Sequence, residues 1–90
     1  MIGIYITTEN MTAAQHQEGR RRLEAAGAPE GAMKLHSVFG EEGELQVFDI
    51  WESQEAFDAF LAYLVPVLDE LGVKLKAPPN IMPVVELVQQ

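Results

Sequence analysis

The chain contains no cysteine. Disulfide bonds, thiolate metal centres and a cysteine nucleophile are therefore excluded, and the redox compartment stays open. Basic residues are also scarce: six Lys and Arg stand against 14 Asp and Glu, a formal charge of -8. Such a surface repels phosphate backbones and anionic lipid, so neither nucleic acid nor membrane is expected as a partner. The main basic cluster, Arg20-Arg21-Arg22, has Glu18 and Glu24 beside it in a helical segment and reads as a solvated face. No early apolar run reaches the length of a signal or spanning segment. Met1 to Thr7 is too short and a helix start follows it, which makes the cytoplasm the default location. A nucleophilic serine elbow, a phosphate loop and a paired-carboxylate motif are missing too.

What is present fits one domain over residues 1–90, with a core of two layers. Hydrophobic residues reach 48%, more than one small core needs, so an oligomer is expected. Ile2, Ile4 and Ile6 alternate with Gly3, Tyr5 and Thr7, the period of a strand. Thr12 and Gln15 have the spacing of a capping box, with Met11 as staple, and predict a helix from about Thr12 to Ala26. The runs Met33 to Gly40 and Glu44 to Trp51 flank Glu41-Glu42-Gly43 and predict an antiparallel hairpin. Ser53 can cap a second helix, whose stripe of Phe57, Phe60, Leu61, Leu64, Leu68 and Leu71 continues past Pro66. A kink is expected there and not an end. After a long connection from Gly72, Val84 to Val88 reads as the last strand.

Strand, helix, strand, strand, helix, strand is the α+β, ferredoxin-like βαββαβ order of a four-stranded antiparallel sheet with both helices on one face. Apolar residues on both parities of several strands call for a cover on the other face, and a second sheet would supply it.

At Val47-Phe-Asp-Ile-Trp-Glu-Ser-Gln-Glu-Ala-Phe57 the chain resembles the antibiotic biosynthesis monooxygenase-like proteins of the dimeric α+β barrel superfamily, in which a strand ends in W-E-S followed by x-E-A-F/Y. The resemblance implies a homodimer with packed sheets and a small-molecule pocket between sheet and helices in each protomer. Relatives oxygenate aromatic polyketides or quinols without metal or flavin, break haem, or isomerise lactones. The haem-degrading members use an asparagine on the first strand, the tryptophan at the W-E-S position and a histidine on the second helix. Trp51 matches, but Ile2 to Thr7 holds no asparagine and Gln54 to Leu71 no histidine, so haem degradation is disfavoured.

Several residues are candidates for a site, each with a plainer reading beside it. Trp51, at the strand's exit, is either a pocket wall or an edge-of-core residue packed on the second helix. Asp49 shares its strand face with Val47 and Trp51; inside the layer it would be an acid/base or a polar anchor, outside it would pair with a Lys or Arg. Ala13, His16, Gly19, Leu23 and Ala26 form the inward stripe of the first helix. A glycine there leaves volume beside an imidazole suited to proton transfer near neutrality, unless His16 is only a boundary residue. His36 is a pocket base or a polar residue at the subunit interface. Tyr5 is a hydrogen-bond donor to a ligand or ordinary strand packing. Lys74 and Lys76 guard the pocket mouth or simply keep their loop solvated. Two histidines at no recognised ligand spacing do not call for a metal.

Two function classes remain. The first is a cofactor-independent monooxygenase for an aromatic or quinone-like molecule, with His16, His36 or Asp49 removing a proton and Tyr5, Gly19 and Trp51 holding the substrate. The second is a non-catalytic small-molecule-binding or structural homodimer.

Overall fold

The computed structural model describes residues Met1–Gln90. Its elements are β1 (Ile2–Thr7), α1 (Ala13–Ala26), β2 (Met33–Phe39), β3 (Gln46–Trp51), α2 (Gln54–Leu71) and β4 (Asn80–Pro83). The strands form one sheet in the order β2-β3-β1-β4, every neighbouring pair antiparallel. This is the ferredoxin-like arrangement expected from the element order.

Local chemistry accounts for both helices. At α1, Thr12 accepts from the backbone N–H of Gln15 while the Gln15 side chain accepts from the backbone N–H of Thr12, so two otherwise orphaned donors are satisfied. Gly27 ends the helix in the left-handed region, with φ 74°, where a β-carbon would be strained. Ser53 caps α2 by accepting from Ala56, and the helix runs through Pro66 to Leu71. Proline removes one i→i−4 bond there, but burial of the stripe outweighs that loss.

The core lies between helices and sheet, where Ile4, Trp51 and Phe57 are fully buried and Leu23, Phe60 and Val67 nearly so. Strand parity sends Ile4, Ile6, Val47, Asp49 and Trp51 to this side. At the start of β2 the register slips between Met33 and Leu35, a bulge that takes Lys34 out of the alternation and leaves it paired with Glu52 at 2.8 Å. Beyond the bulge His36 stands directly opposite Asp49.

The last strand departs from expectation. Pairing falls on Asn80–Pro83, opposite Tyr5 to Ile2, and the alternating Val84 to Val88 follows it outside the ladder. A strand needs a partner as well as a pattern: the N–H of Val84 reaches the Met1 carbonyl at 3.0 Å, and the chain then passes along the outer sheet face. There Val84 to Val88 flank a groove floored by Gly3, Tyr5, Leu35, Phe48 and Ile50.

Candidate functional site

The inward stripe of α1 places His16 and Gly19 one turn apart above the sheet. Gly19 is buried, and a β-carbon there would meet only Leu71 Cδ1 at 3.4 Å and Val67 Cγ1 at 3.8 Å. Missing side-chain volume at this position helps to leave a cavity of about 70 Å³ between α1, α2 and the sheet. Ile6, Leu23, Val47, Phe60, Leu64 and Leu68 supply part of its apolar wall.

At one side of this cavity four residues are joined by hydrogen bonds. Nε2 of His16 and Nε2 of His36 lie 3.2 Å apart, with ring planes 13° from parallel. Nδ1 of His36 lies 2.7 Å from Oδ1 of Asp49, and the indole N–H of Trp51 donates to Oδ2 of the same carboxylate at 3.3 Å. The carboxylate fixes the proton positions: it accepts, so His36 carries its proton on Nδ1 and offers a lone pair at Nε2. Nε2 of His16 then bears the proton that bridges the rings, and Nδ1 of His16 is left as an unprotonated base with no partner in the chain.

Burial lowers the pKa of His16 from its usual value near 6.5, the positive tendencies of His36 and Arg20 add to this, and Asp49 opposes it. His16 is therefore neutral and able to accept a proton at physiological pH. Asp49 itself is 4% exposed and has both oxygens engaged. Two other polar side chains at the cavity, Thr8 and Gln15, donate to the protein backbone. Thr8 donates to the Leu45 carbonyl at 2.6 Å, and the Gln15 amide donates to that of Leu71 at 3.1 Å.

These placements sort the sequence candidates. His16, Gly19, His36 and Asp49 come together at one cavity. Trp51 does not line it; the ring is fully buried behind Asp49, 5.0 Å from Phe60 and 5.8 Å from Phe57 between ring centres. The expectation of Tyr5 in the same pocket is corrected by strand parity: its side chain is on the outer face, where the hydroxyl donates to Gln46. Lys74 and Lys76 stay off the cavity wall, although Val73 and Leu75 between and before them reach it.

No family model matches the chain, and no curated protein does. Solved structures do. SnoaB, a cofactor-independent oxygenase from Streptomyces nogalater, is similar with a TM-score of 0.69 at 14% identity, covering 99% of this chain and 97% of its own. A proposed antibiotic biosynthesis monooxygenase from Deinococcus radiodurans is similar at 0.62 and 19% identity, covering 100% and 98%. The fold is that of the antibiotic biosynthesis monooxygenase-like structures. A dimeric ferredoxin-like protein from an uncultured marine organism shares it at a TM-score of 0.55 and 7% identity, over 99% of this chain and 92% of that one.

Within this fold, four contributors to the cavity carry no clear signal in the sequence: Thr8, Val73, Leu75 and Arg20. Thr8, 1% exposed, is followed at once by polar residues that read as loop. Val73 and Leu75 alternate with lysines, a pattern that signals burial only because Leu75 bridges to Thr8. Arg20 reads with its neighbours as part of a solvated face, yet it stands four residues after His16 and reaches the cavity wall.

Proposed function

We propose that the chain is a homodimeric, cofactor-independent monooxygenase in which His16 removes a proton from an aromatic or quinone-like small molecule. The observation that carries this reading is the hydrogen-bonded line from Asp49 through His36 to His16, ending at an apolar cavity. When Nδ1 of His16 takes the substrate proton, its Nε2 proton can pass to His36. The positive charge then rests beside the Asp49 carboxylate and not in the apolar cavity. Handing the charge on in this way keeps a cation out of the apolar cavity and offsets part of the burial that holds His16 below its usual pKa.

The resulting anion is electron-rich and reacts with molecular oxygen, the co-reactant. For an activated methylene, both hydrogens leave carbon, one oxygen atom becomes the carbonyl oxygen and the other departs as water. The apolar wall suits an aromatic body and keeps water from the anion. Its present volume of about 70 Å³ is under half the roughly 150 Å³ of a cavity that holds benzene, so a ring enters only if α1 and α2 separate. Dimerisation is supported by the outer sheet face, where Met82 is 55% and Val85 fully exposed beside Tyr5 and Phe48. A non-catalytic binding dimer is the second reading, favoured by Thr8 and Gln15 spending their polar groups on the protein's own backbone.

Oxygen uptake with anthrone or a naphthoquinol as probe tests the enzyme reading. Wild type should accelerate uptake, and His16→Gln should lose about 100-fold or more of that acceleration. Acceleration that survives in His16→Gln contradicts the assignment, and none from wild type favours the binding dimer.

A further inference from the structure

Arg20 is the only permanently cationic side chain on the cavity wall. Its neighbours in sequence each commit two guanidinium nitrogens to carboxylates. Arg21 grips Glu18 with Nε and Nη2 together, and Arg22 divides Nε and Nη1 between Glu18 and Glu70. Glu18 is pulled down to about 2 by the Arg21 and Arg22 hydrogen bonds, as expected of a carboxylate held by two guanidinium groups. Arg20 differs: a single Nη1 contact joins it to Glu30, in the connection between α1 and β2, and its Nε and Nη2 donors have no acceptor in the chain. A guanidinium offers five N–H groups in a plane that fits a carboxylate two at a time. This one has most of them unused, with its side chain 32% exposed, where the apolar wall begins.

We infer that Arg20 is the anion receptor of the cavity, and that the ligand is a small molecule with an apolar body and a carboxylate or equivalent anionic oxygen held by Arg20 in place of, or beside, Glu30. No other lining group can take this role. Asp49 is itself anionic with both oxygens engaged, and the two Nε2 atoms of His16 and His36 face each other. Glu30 then acts as a competitor that occupies the guanidinium while the cavity is empty of ligand. The overall charge of -8 makes the molecule as a whole unfavourable to anions, so binding at the cavity depends on this one lining cation. The inference rests on the cavity being the ligand site, as the proposed function also requires, but not on His16 acting as a base.

The test compares butyrate with butan-1-ol, which share an apolar chain and differ in charge, at about pH 8 where imidazoles are neutral and Arg20 keeps its charge. Binding is read from the emission of Trp51 and from backbone amide shifts of Gly19 and Leu23. Wild type should bind butyrate about tenfold more tightly than butan-1-ol, the difference expected of one charge-assisted hydrogen-bonded pair. Arg20→Gln should erase that preference while leaving butan-1-ol unchanged. Glu30→Gln should move the other way and strengthen butyrate alone, because it frees the guanidinium; neither change touches the core, so both variants should fold. Equal binding of the two probes by wild type, a preference that survives Arg20→Gln, or no butyrate binding at all overturns the inference. Butyrate has no proton to give at this pH, so a negative result leaves the oxygen-uptake test of His16 standing on its own.

Discussion

His36 and Asp49 face each other across β2 and β3, with Nδ1 of the imidazole 2.7 Å from Oδ1 of the carboxylate. This pairing depends on the bulge at Lys34, which sets the register of everything after it. It also sets the tautomer of His36, and through the ring-to-ring contact the tautomer of His16.

Replacing Asp49 by Asn keeps the shape and removes the charge. An amide cannot accept from both His36 and Trp51, since one of its two polar atoms is a donor. One buried donor then faces another unless His36 moves its proton to Nε2, and either outcome gives up a charge-assisted bond, so Asp49→Asn should cost about 1–3 kcal/mol in urea unfolding. A variant as stable as wild type would show that Asp49 is not holding both partners.

Stability should respond to pH through His16. Its pKa is lowered in the folded protein, chiefly by burial, from a usual value near 6.5. Above that value folded and unfolded chains are both neutral at this site and the contribution is complete. As pH falls below it the unfolded chain binds the proton first, so stability declines. Urea midpoints at about pH 7.5 and about pH 5.5 should differ more in wild type than in His16→Gln. Equal differences would place the pH sensitivity elsewhere.

Gly19 separates open volume from solid core. With its nearest side-chain neighbours at 3.4 and 3.8 Å, Gly19→Ala fits and should raise stability by up to about 1 kcal/mol through helix propensity. Gly19→Leu should extend into the cavity, block butyrate and melt near wild type. A drop matching about 1–3 kcal/mol would instead mean overpacking and a wall with no room to yield.

The legible parts of this molecule were those decided locally. Thr12 with Gln15, Ser53 and the stripe through Phe60 and Leu71 announce their helices because caps and periodicity act within a turn or two. β4 was misplaced because Val84 to Val88 has the better strand pattern, yet the pairing positions on β1 are taken by Asn80–Pro83. The site was half visible. Parity put Asp49 and Trp51 on the inner face and helical spacing did the same for His16 and Gly19, but the contact between His16 and His36 needs the packing of α1 on the sheet and the bulge in β2. Neither leaves a signal in the sequence. Depth is illegible as well: the sequence leaves Trp51 open as a pocket wall or as packing on the second helix, and the structure has it packed on Phe57 and Phe60 behind Asp49.

The outer sheet face predicts self-association. Light scattering at micromolar concentration should give twice the chain mass, and Val85→Asp with Met82→Asp should lower it, since both side chains stand exposed beside the apolar groove. A stable monomer in wild type would remove the barrel from this account.

Hydrogen-bond geometry puts Asp49, His36 and His16 on one line whose free end is Nδ1 of His16. Long-range proton–nitrogen NMR of the imidazoles near neutral pH reads it directly, because protonated and unprotonated ring nitrogens have well-separated shifts. His36 should be protonated at Nδ1 and His16 at Nε2, with both tautomers disturbed together in Asp49→Asn. A His16 proton on Nδ1, or a His16 signal indifferent to Asp49, would contradict it.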